Sequence, residues 1–169
     1  EFLTTFGKLE MAGYHTGPTQ ALGFLYGTRH SHLDSGPYSY DIKMAGTKNY
    51  PTKQGMVDYI INEESWRQIL TSLVICLFAR KAYDEPSVVE ALRQMGYDYD
   101  EDGLKEIGLK IYAAKNNYKR QCGVNFEELM PSERIFETSS ALGKTDRDFF
   151  KSARDEMASR IRENIKKYC

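Results

Sequence analysis

The chain has few cysteines, no long apolar run and no excess of either charge. Its three cysteines, Cys76, Cys122 and Cys169, are far apart, and none belongs to a C-x-x-C pair. That pattern suits neither a disulfide framework nor a structural zinc site, so we expect a reducing, cytoplasmic setting. The longest apolar run, residues 70–79, is too short to cross a bilayer and is typical of a buried helix.

The charge is almost balanced, with 23 Lys and Arg residues against 24 Asp and Glu residues. A basic surface for nucleic acid or for an anionic membrane is therefore not expected. The chain has neither an initiator Met nor a signal peptide. From this we expect a fragment or a processed product of a longer protein.

The character of the sequence changes near residue 52, which divides the chain into two predicted segments. Residues 1–51 are rich in Gly, Tyr, Ser, Thr and Pro, and turn signals recur there, as in the Gly17-Pro18 and Tyr50-Pro51 pairs. We interpret them as a loop-rich segment, made of loops and short helices, that packs on the rest. Residues 52–169 show apolar residues at helical spacing and form the predicted helical domain.

Five helices are predicted in the second segment, and no useful strand pattern is found. The fold class is therefore mainly α, as an irregular multihelical array. The predicted helices cover residues 53–62, 65–83, 85–95, 101–120 and 146–167, the last of them capped by Thr145.

Residues 98–103 (DYDEDG) match the opening of an EF-hand calcium loop, with Asp98, Asp100 and Asp102 at its acidic positions. The twelfth position of such a loop needs a bidentate Glu, and here it is Leu109, which offers no oxygen. The acidic residues are better explained as stabilising the N-terminus of the helix that begins there.

Two features could carry chemistry. Cys76 lies alone in an apolar stretch, where it is either a small buried hydrophobe or one ligand of an iron–sulfur cluster completed from elsewhere. His30 and His32 lie in a polar segment, where they are either hydrogen-bonded loop residues or close to an active site that uses a near-neutral pKa. The residues alone leave both alternatives open.

A family resemblance connects these features. Residues 71–78 (TSLVICLF) resemble the second pterin-binding segment, D-x-x-G-L-C-x-F, of the tungsten-pterin aldehyde ferredoxin oxidoreductases. Residues 129–137 (LMPSERIFE) resemble the L-P-x-R-x-F-E segment near the end of that family, and residues 27–33 (GTRHSHL) loosely resemble a family loop that ends in His-Leu. The helix pair between the first two segments is similar as well, in residues 90–98, 104–108 and 117–120.

The resemblance implies a mainly α C-terminal region that helps to hold two cofactors. Cys76 would be the fourth thiolate of a [4Fe–4S] cluster, the other three coming from an earlier C-x-x-C-x-x-x-C segment. His32 would donate or accept a proton during oxidation of an aldehyde to a carboxylate. One pterin of a tungsten (or molybdenum) bis-pterin would contact Thr71, Ser72, Leu73, Val74 and Ile75.

The resemblance also implies partners: the missing N-terminal region of the same protein, ferredoxin, and an aldehyde-class small molecule, with homo-oligomer formation left open. The chain alone is not expected to be active.

Two departures from the family pattern weaken the expected pterin contact. Thr71 replaces an Asp and offers one hydroxyl instead of a carboxylate, and Val74 replaces a Gly. We expect valine to be unable to adopt the backbone angles of glycine. The alternative function is therefore a small helical protein-interaction module that has lost cofactor binding, with Cys76 in the core and His32 on the surface.

Overall fold

A computed structural model describes residues 4–6, 9–28 and 36–169. Regular structure in these residues is mainly helical, which confirms the predicted fold class. The elements in chain order are strands β1 (Thr5–Phe6) and β2 (Leu9–Glu10), helices α1 (Pro18–Tyr26), α2 (Tyr38–Gly46) and α3 (Lys53–Ser72), a 3-10 helix (Leu77–Ala79), and helices α4 (Glu85–Gln94), α5 (Glu101–Gln121), α6 (Arg134–Glu137) and α7 (Arg147–Tyr168).

The core lies where α3, α5 and α7 pack against one another, with α1 against α3 and α7. Each helix contributes apolar residues three or four positions apart, so that they share one face. The largest fully buried side chains include Tyr26, Met56, Tyr112, Phe150 and Met157. A smaller apolar cluster joins the end of α3 to α4 and α5 through Ile69, Val88, Val89 and Leu104.

Helix α1 belongs to this core, although the first 51 residues show little helical pattern. Its residues Leu22 and Tyr26 are fully buried. No side chain of its own caps its first turn. Instead the Asp41 carboxylate of α2 accepts the backbone N–H groups of Thr19 and Gln20, at 3.2 and 2.9 Å. This cap comes from a distant residue, so a local sequence pattern could not reveal it. The proposed division at residue 52 stays a prediction.

Four helices begin at side-chain caps of the expected kind. Thr52, Asp84, Asp100 and Asp146 each accept the backbone N–H group three residues further on, at the starts of α3, α4, α5 and α7. Asp100 therefore caps α5, as the non-calcium interpretation of residues 98–102 predicts. The cap of the last helix is Asp146 and not Thr145, so that prediction was wrong by one residue.

Helix α3 differs most from the prediction. The two expected helices, residues 53–62 and 65–83, are one continuous helix that ends at Ser72. No Gly or Pro interrupts residues 56–72, and Glu64 lies on the buried face. The predicted buried helix over residues 70–79 is wrong, because the chain turns at residue 74 and much of this stretch is exposed. Within the described residues, no helix is long and apolar enough to cross a membrane.

Candidate functional site

The turn after α3 contains the cysteine and the five residues that the sequence singles out. Three backbone hydrogen bonds close the helix: Leu73 N donates to Ile69 O, Val74 N to Thr71 O, and Ile75 N to Leu70 O, at 2.9–3.1 Å. The last two form the Schellman motif, which ends a helix with one residue in the left-handed region. That residue is Val74, with φ of 58°.

Valine at this position is unusual. Helices α4 and α5 end with the same hydrogen-bond pattern, and there the left-handed residues are Gly96 and Gly123. Glycine has no Cβ to clash in this region, whereas a β-branched residue is a conformational outlier. The expectation that valine could not adopt the backbone angle of glycine is therefore wrong: Val74 adopts it, with strain.

The turn is open to solvent. Val74 is 91% exposed and Phe78 is 82% exposed, which is high for apolar side chains. Cys76 is an exposed free cysteine. It lies at the N-cap position of the 3-10 helix, so it is not a residue of the dry core. Thr71 and Ser72, in the last turn of α3, are exposed as well.

A shallow depression of about 320 Å³ connects the turn to α3. Thr71, Val74, Cys76 and Arg67 are among its lining residues. Arg67 donates from Nε to the Glu63 carboxylate at 2.9 Å, and its Nη2 donates to the same oxygen. Among the described residues that line the depression, the charged one is Arg67, and it is thus held in an ion pair with Glu63 on the same helix.

A second group of polar side chains lies where α3, α5 and the end of α1 meet, and it was not predicted. The Glu64 carboxylate accepts the backbone N–H of Thr28 at 3.0 Å. The Lys119 ammonium donates to the carbonyl oxygens of Tyr26 and Gly27, at 3.1 and 3.0 Å. Gln68 donates to the Thr28 hydroxyl at 3.3 Å. Together these side chains fix the backbone of residues 26–28.

Burial shifts the acid–base properties of this polar cluster. It lowers the pKa of the Lys119 ammonium, an effect that the nearby Glu64 carboxylate partly opposes. Burial also raises the pKa of the Tyr112 phenol well above its usual value, and Glu64 raises it further. Lys119 is therefore easier to deprotonate than an exposed lysine, and Tyr112 stays neutral well above pH 10.

The sequence did contain a signal for the buried cluster. Glu64 and Gln68 continue the four-residue spacing of Met56 and Ile60, so two polar residues occupy the apolar face of α3. Polar residues on a buried face require partners, which makes them worth examining in any helix.

The predicted site residues fall into two groups. Thr71, Ser72, Leu73, Val74, Ile75 and Cys76 are contiguous on the exposed turn. His32 lies outside the described residues. Within the described part of the chain, no three His, Cys, Asp or Glu side chains come close enough together to hold a metal ion. Any metal or cluster bound at Cys76 thus needs ligands from elsewhere.

Comparison with known proteins identifies the family. The sequence model described as "Aldehyde ferredoxin oxidoreductase, domains 2 & 3" matches residues 1–166. No curated protein and no solved structure gives a significant match. The family match covers nearly the whole chain and agrees with its helical fold. The chain therefore belongs to the aldehyde ferredoxin oxidoreductase family, in the region that forms domains 2 and 3.

Proposed function

We propose that this chain is the C-terminal portion of a tungsten- or molybdenum-pterin, iron–sulfur oxidoreductase, and that Cys76 supplies one thiolate to its [4Fe–4S] cluster. The observation that carries the proposal is the exposed thiol of Cys76 on an exposed turn. Cluster ligands converge from several chain segments, so a ligand must be accessible from outside its own helix. The remaining three thiolates would come from a C-x-x-C-x-x-x-C segment earlier in the same protein.

The turn also fits contact with one pterin. Residues 71–74 are exposed, and Thr71 and Ser72 offer hydroxyl groups that can hydrogen-bond to a polar ring edge. The Val74 side chain is almost fully exposed. A pterin ring that approached the turn would touch this side chain, and would lie further from the peptide groups than it would with glycine here. We propose that the contact is weaker than in family members with Asp and Gly at these positions. When bound, the metal and pterin supply the two-electron redox chemistry.

Three further roles complete the proposal. His32 exchanges a proton with the reacting group, ferredoxin accepts the electrons, and an aldehyde is oxidised to a carboxylate. The preceding region of the same protein supplies the rest of the cofactor site. The chain by itself is proposed to be inactive.

The thiolate role is tested in the longer protein by measuring iron per chain and the visible absorbance of the cluster. Cys76→Ala should lower both. Cys122→Ala is the matched control, because Cys122 is also an exposed free cysteine and lies at the end of α5. If both variants keep the iron content of the wild type, Cys76 is not a ligand.

The role of His32 is tested by kinetics of the cofactor-loaded protein. His32→Asn should reduce turnover by about 10²–10⁴-fold, the usual contribution of a general acid–base group. Its neighbour provides the control, since His30→Asn should reduce turnover much less while metal, pterin and iron contents stay unchanged. Equal effects, or a larger effect at His30, would exclude His32 as the specific proton-exchanging residue.

One observation favours a second candidate function, a helical protein-interaction module without cofactors. An apolar groove of about 350 Å³ lies between the end of α3, α4 and the start of α5. Met95 and Tyr97 on its rim are 72% and 53% exposed. Exposed apolar patches often mark interaction surfaces. The upstream reading frame discriminates: a C-x-x-C-x-x-x-C segment there favours the oxidoreductase, and its absence favours the module.

A further inference from the structure

A second depression shares Arg67 with the one beside the Cys76 turn. Its volume is about 310 Å³. The residues that line it include three with aromatic rings, Tyr38, Tyr59 and Trp66, and two with guanidinium groups, Arg67 and Arg80. We name it the Arg80 pocket. Most of its exposed lining is polar, and the aromatic residues lie beside the polar ones, which suits a small ligand that has both a charged group and a ring.

Neighbouring groups hold the aromatic walls in place. The Tyr38 ring stacks on Tyr14 with centroids 5.0 Å apart, and the Tyr59 ring packs against Tyr40 at 4.8 Å. The Tyr59 hydroxyl also forms a 2.7 Å hydrogen bond with the Ser39 hydroxyl. Because these contacts are made by the chain itself, a ligand would not have to supply them when it binds.

The pocket carries a positive charge that no described carboxylate offsets. Glu63 also lines the pocket, but its carboxylate forms an ion pair with the Arg67 guanidinium, so these two charges balance each other. Arg80 donates from Nη1 to the Leu77 carbonyl at 3.0 Å. In the part of the chain that the structure describes, Arg80 forms no ion pair. A half-buried guanidinium of this kind favours an anionic partner.

We infer that the Arg80 pocket binds a single-ring aromatic carboxylate. The carboxylate would accept hydrogen bonds from Arg80, and the ring would pack against Tyr38, Tyr59 and Trp66. The volume lies near the lower end of the range for ligand pockets, which favours one ring over two. Such an anion matches the product of an aromatic aldehyde oxidation, a link that rests on the proposed function. Binding itself does not depend on it.

Trp66 provides a direct probe, because it is the single tryptophan of the chain and lines the pocket. Titration of the purified chain with benzoate should change its fluorescence in a saturable way. Benzyl alcohol has the same ring without the charge and should bind about tenfold more weakly or worse, because it lacks the charge-assisted hydrogen bond.

Two substitutions and a control locate the binding site. Arg80→Gln should weaken benzoate binding about tenfold or more and leave the weak binding of benzyl alcohol unchanged, whereas Arg80→Lys should keep part of the affinity. Arg93→Gln is the matched control, because Arg93 is an exposed arginine on α4 that pairs with Glu90. It should bind benzoate like the wild type.

Several outcomes would overturn the inference: no saturable signal with benzoate, equal affinity for benzoate and benzyl alcohol, or equal losses in Arg80→Gln and Arg93→Gln. Tighter binding of pterin-6-carboxylate than of benzoate would also overturn it, because the pocket would then suit a two-ring cofactor. If circular dichroism shows that Arg80→Gln is unfolded, the comparison of the two ligands on the wild type and Arg80→Lys decides. The iron content of Cys76→Ala tests the proposed function independently.

Discussion

The packed part of α3 and the turn that follows it differ in how well the local structure explains the residue found there. The packed part meets a glycine of α5 where only glycine fits, and the turn has a valine where glycine would fit better. Where α3 meets α5, Gly108 lies so close to the α3 backbone that an added Cβ would be 2.6 Å from the Ser65 carbonyl oxygen. In the turn, the left-handed position that suits glycine is occupied by Val74. The close approach of the two helices thus explains why residue 108 is glycine. Val74 is strained, so the stability of the chain does not explain the valine. Backbone strain of this kind concentrates at functional sites.

The largest effect is expected from breaking the polar cluster in the packed part. Glu64→Ala removes the acceptor of the Thr28 N–H and the carboxylate that favours the charged form of Lys119. Leaving a buried donor without its acceptor costs about 1–3 kcal/mol, and more where a charged group is lost, so the free energy of unfolding in urea should fall by about 3 kcal/mol.

The control for this change is Glu90→Ala, on the exposed face of α4. Glu90 is exposed and accepts hydrogen bonds from Arg93 and Gln94 on the same surface, so the free energy of unfolding should change by about 0.5 kcal/mol or less. If the two substitutions have similar effects, Glu64 does not organise the interface between α3 and α5.

The next effect tests the close approach of the same two helices. Gly108→Ala places a methyl group against a backbone oxygen, which can only be relieved by moving a helix. Overpacking of this kind typically costs about 1–3 kcal/mol, measurable by urea unfolding. Gly46→Ala is the control, since an added Cβ at the end of α2 meets nothing within 4 Å and alanine favours helix. Equal stability of the two variants would contradict the close packing.

The third effect concerns pH. The pKa of Tyr112 is raised in the folded chain, so its contribution to stability is complete below the unfolded pKa of 10.0 and is lost as pH rises through the folded pKa. Above pH 10 this one group should lower the free energy of unfolding by about 1.4 kcal/mol per pH unit.

Urea unfolding at several pH values between 9 and 11 checks this expectation. Tyr112→Phe should remove the contribution of this group, so its stability should fall less steeply with pH than that of the wild type. Tyr118→Phe serves as the control, because it makes the same chemical change at a position that is 68% exposed. The same slope in the wild type and Tyr112→Phe would contradict the assignment.

Sequence patterns predicted the parts of the fold in which local signals agree. Helices α4, α5 and α7 were placed to within a few residues, because an N-terminal cap and a regular apolar face point to the same boundaries. They did not place α1, a short helix in the loop-rich segment, because its cap comes from Asp41 in another helix. They also split α3 between residues 62 and 65, where the buried face contains Glu64 in place of an apolar residue.

The candidate site was predictable only in part. The family motif marked residues 71–76 as one segment, and these residues do form one turn. The apolar composition of residues 70–79 suggested a buried helix. Composition alone does not show that the chain turns at Val74 and exposes Cys76. The cluster around Glu64 was missed because its partners, Thr28 and Lys119, are 36 or more residues away in sequence. Contacts over such separations depend on tertiary packing, which local patterns do not contain.

The smallest effect sharpens the comparison at the turn itself. Val74→Gly relieves a left-handed strain of about 1–2 kcal/mol, while the greater freedom of glycine in the unfolded chain offsets roughly 0.5–1 kcal/mol of the gain. The free energy of unfolding should therefore rise by about 0.5–1 kcal/mol. The converse change, Gly96→Val at the matching position of α4, should lower it, since Gly96 has φ of 88° and open space around it. A loss of stability in Val74→Gly would mean that the valine side chain stabilises the turn.

If stability rises as expected, the amount of pterin bound per chain in the cofactor-loaded longer protein becomes the informative measurement. An increase in Val74→Gly would show that the valine keeps the ring away from the backbone, and an unchanged value would show that the ring does not approach this turn.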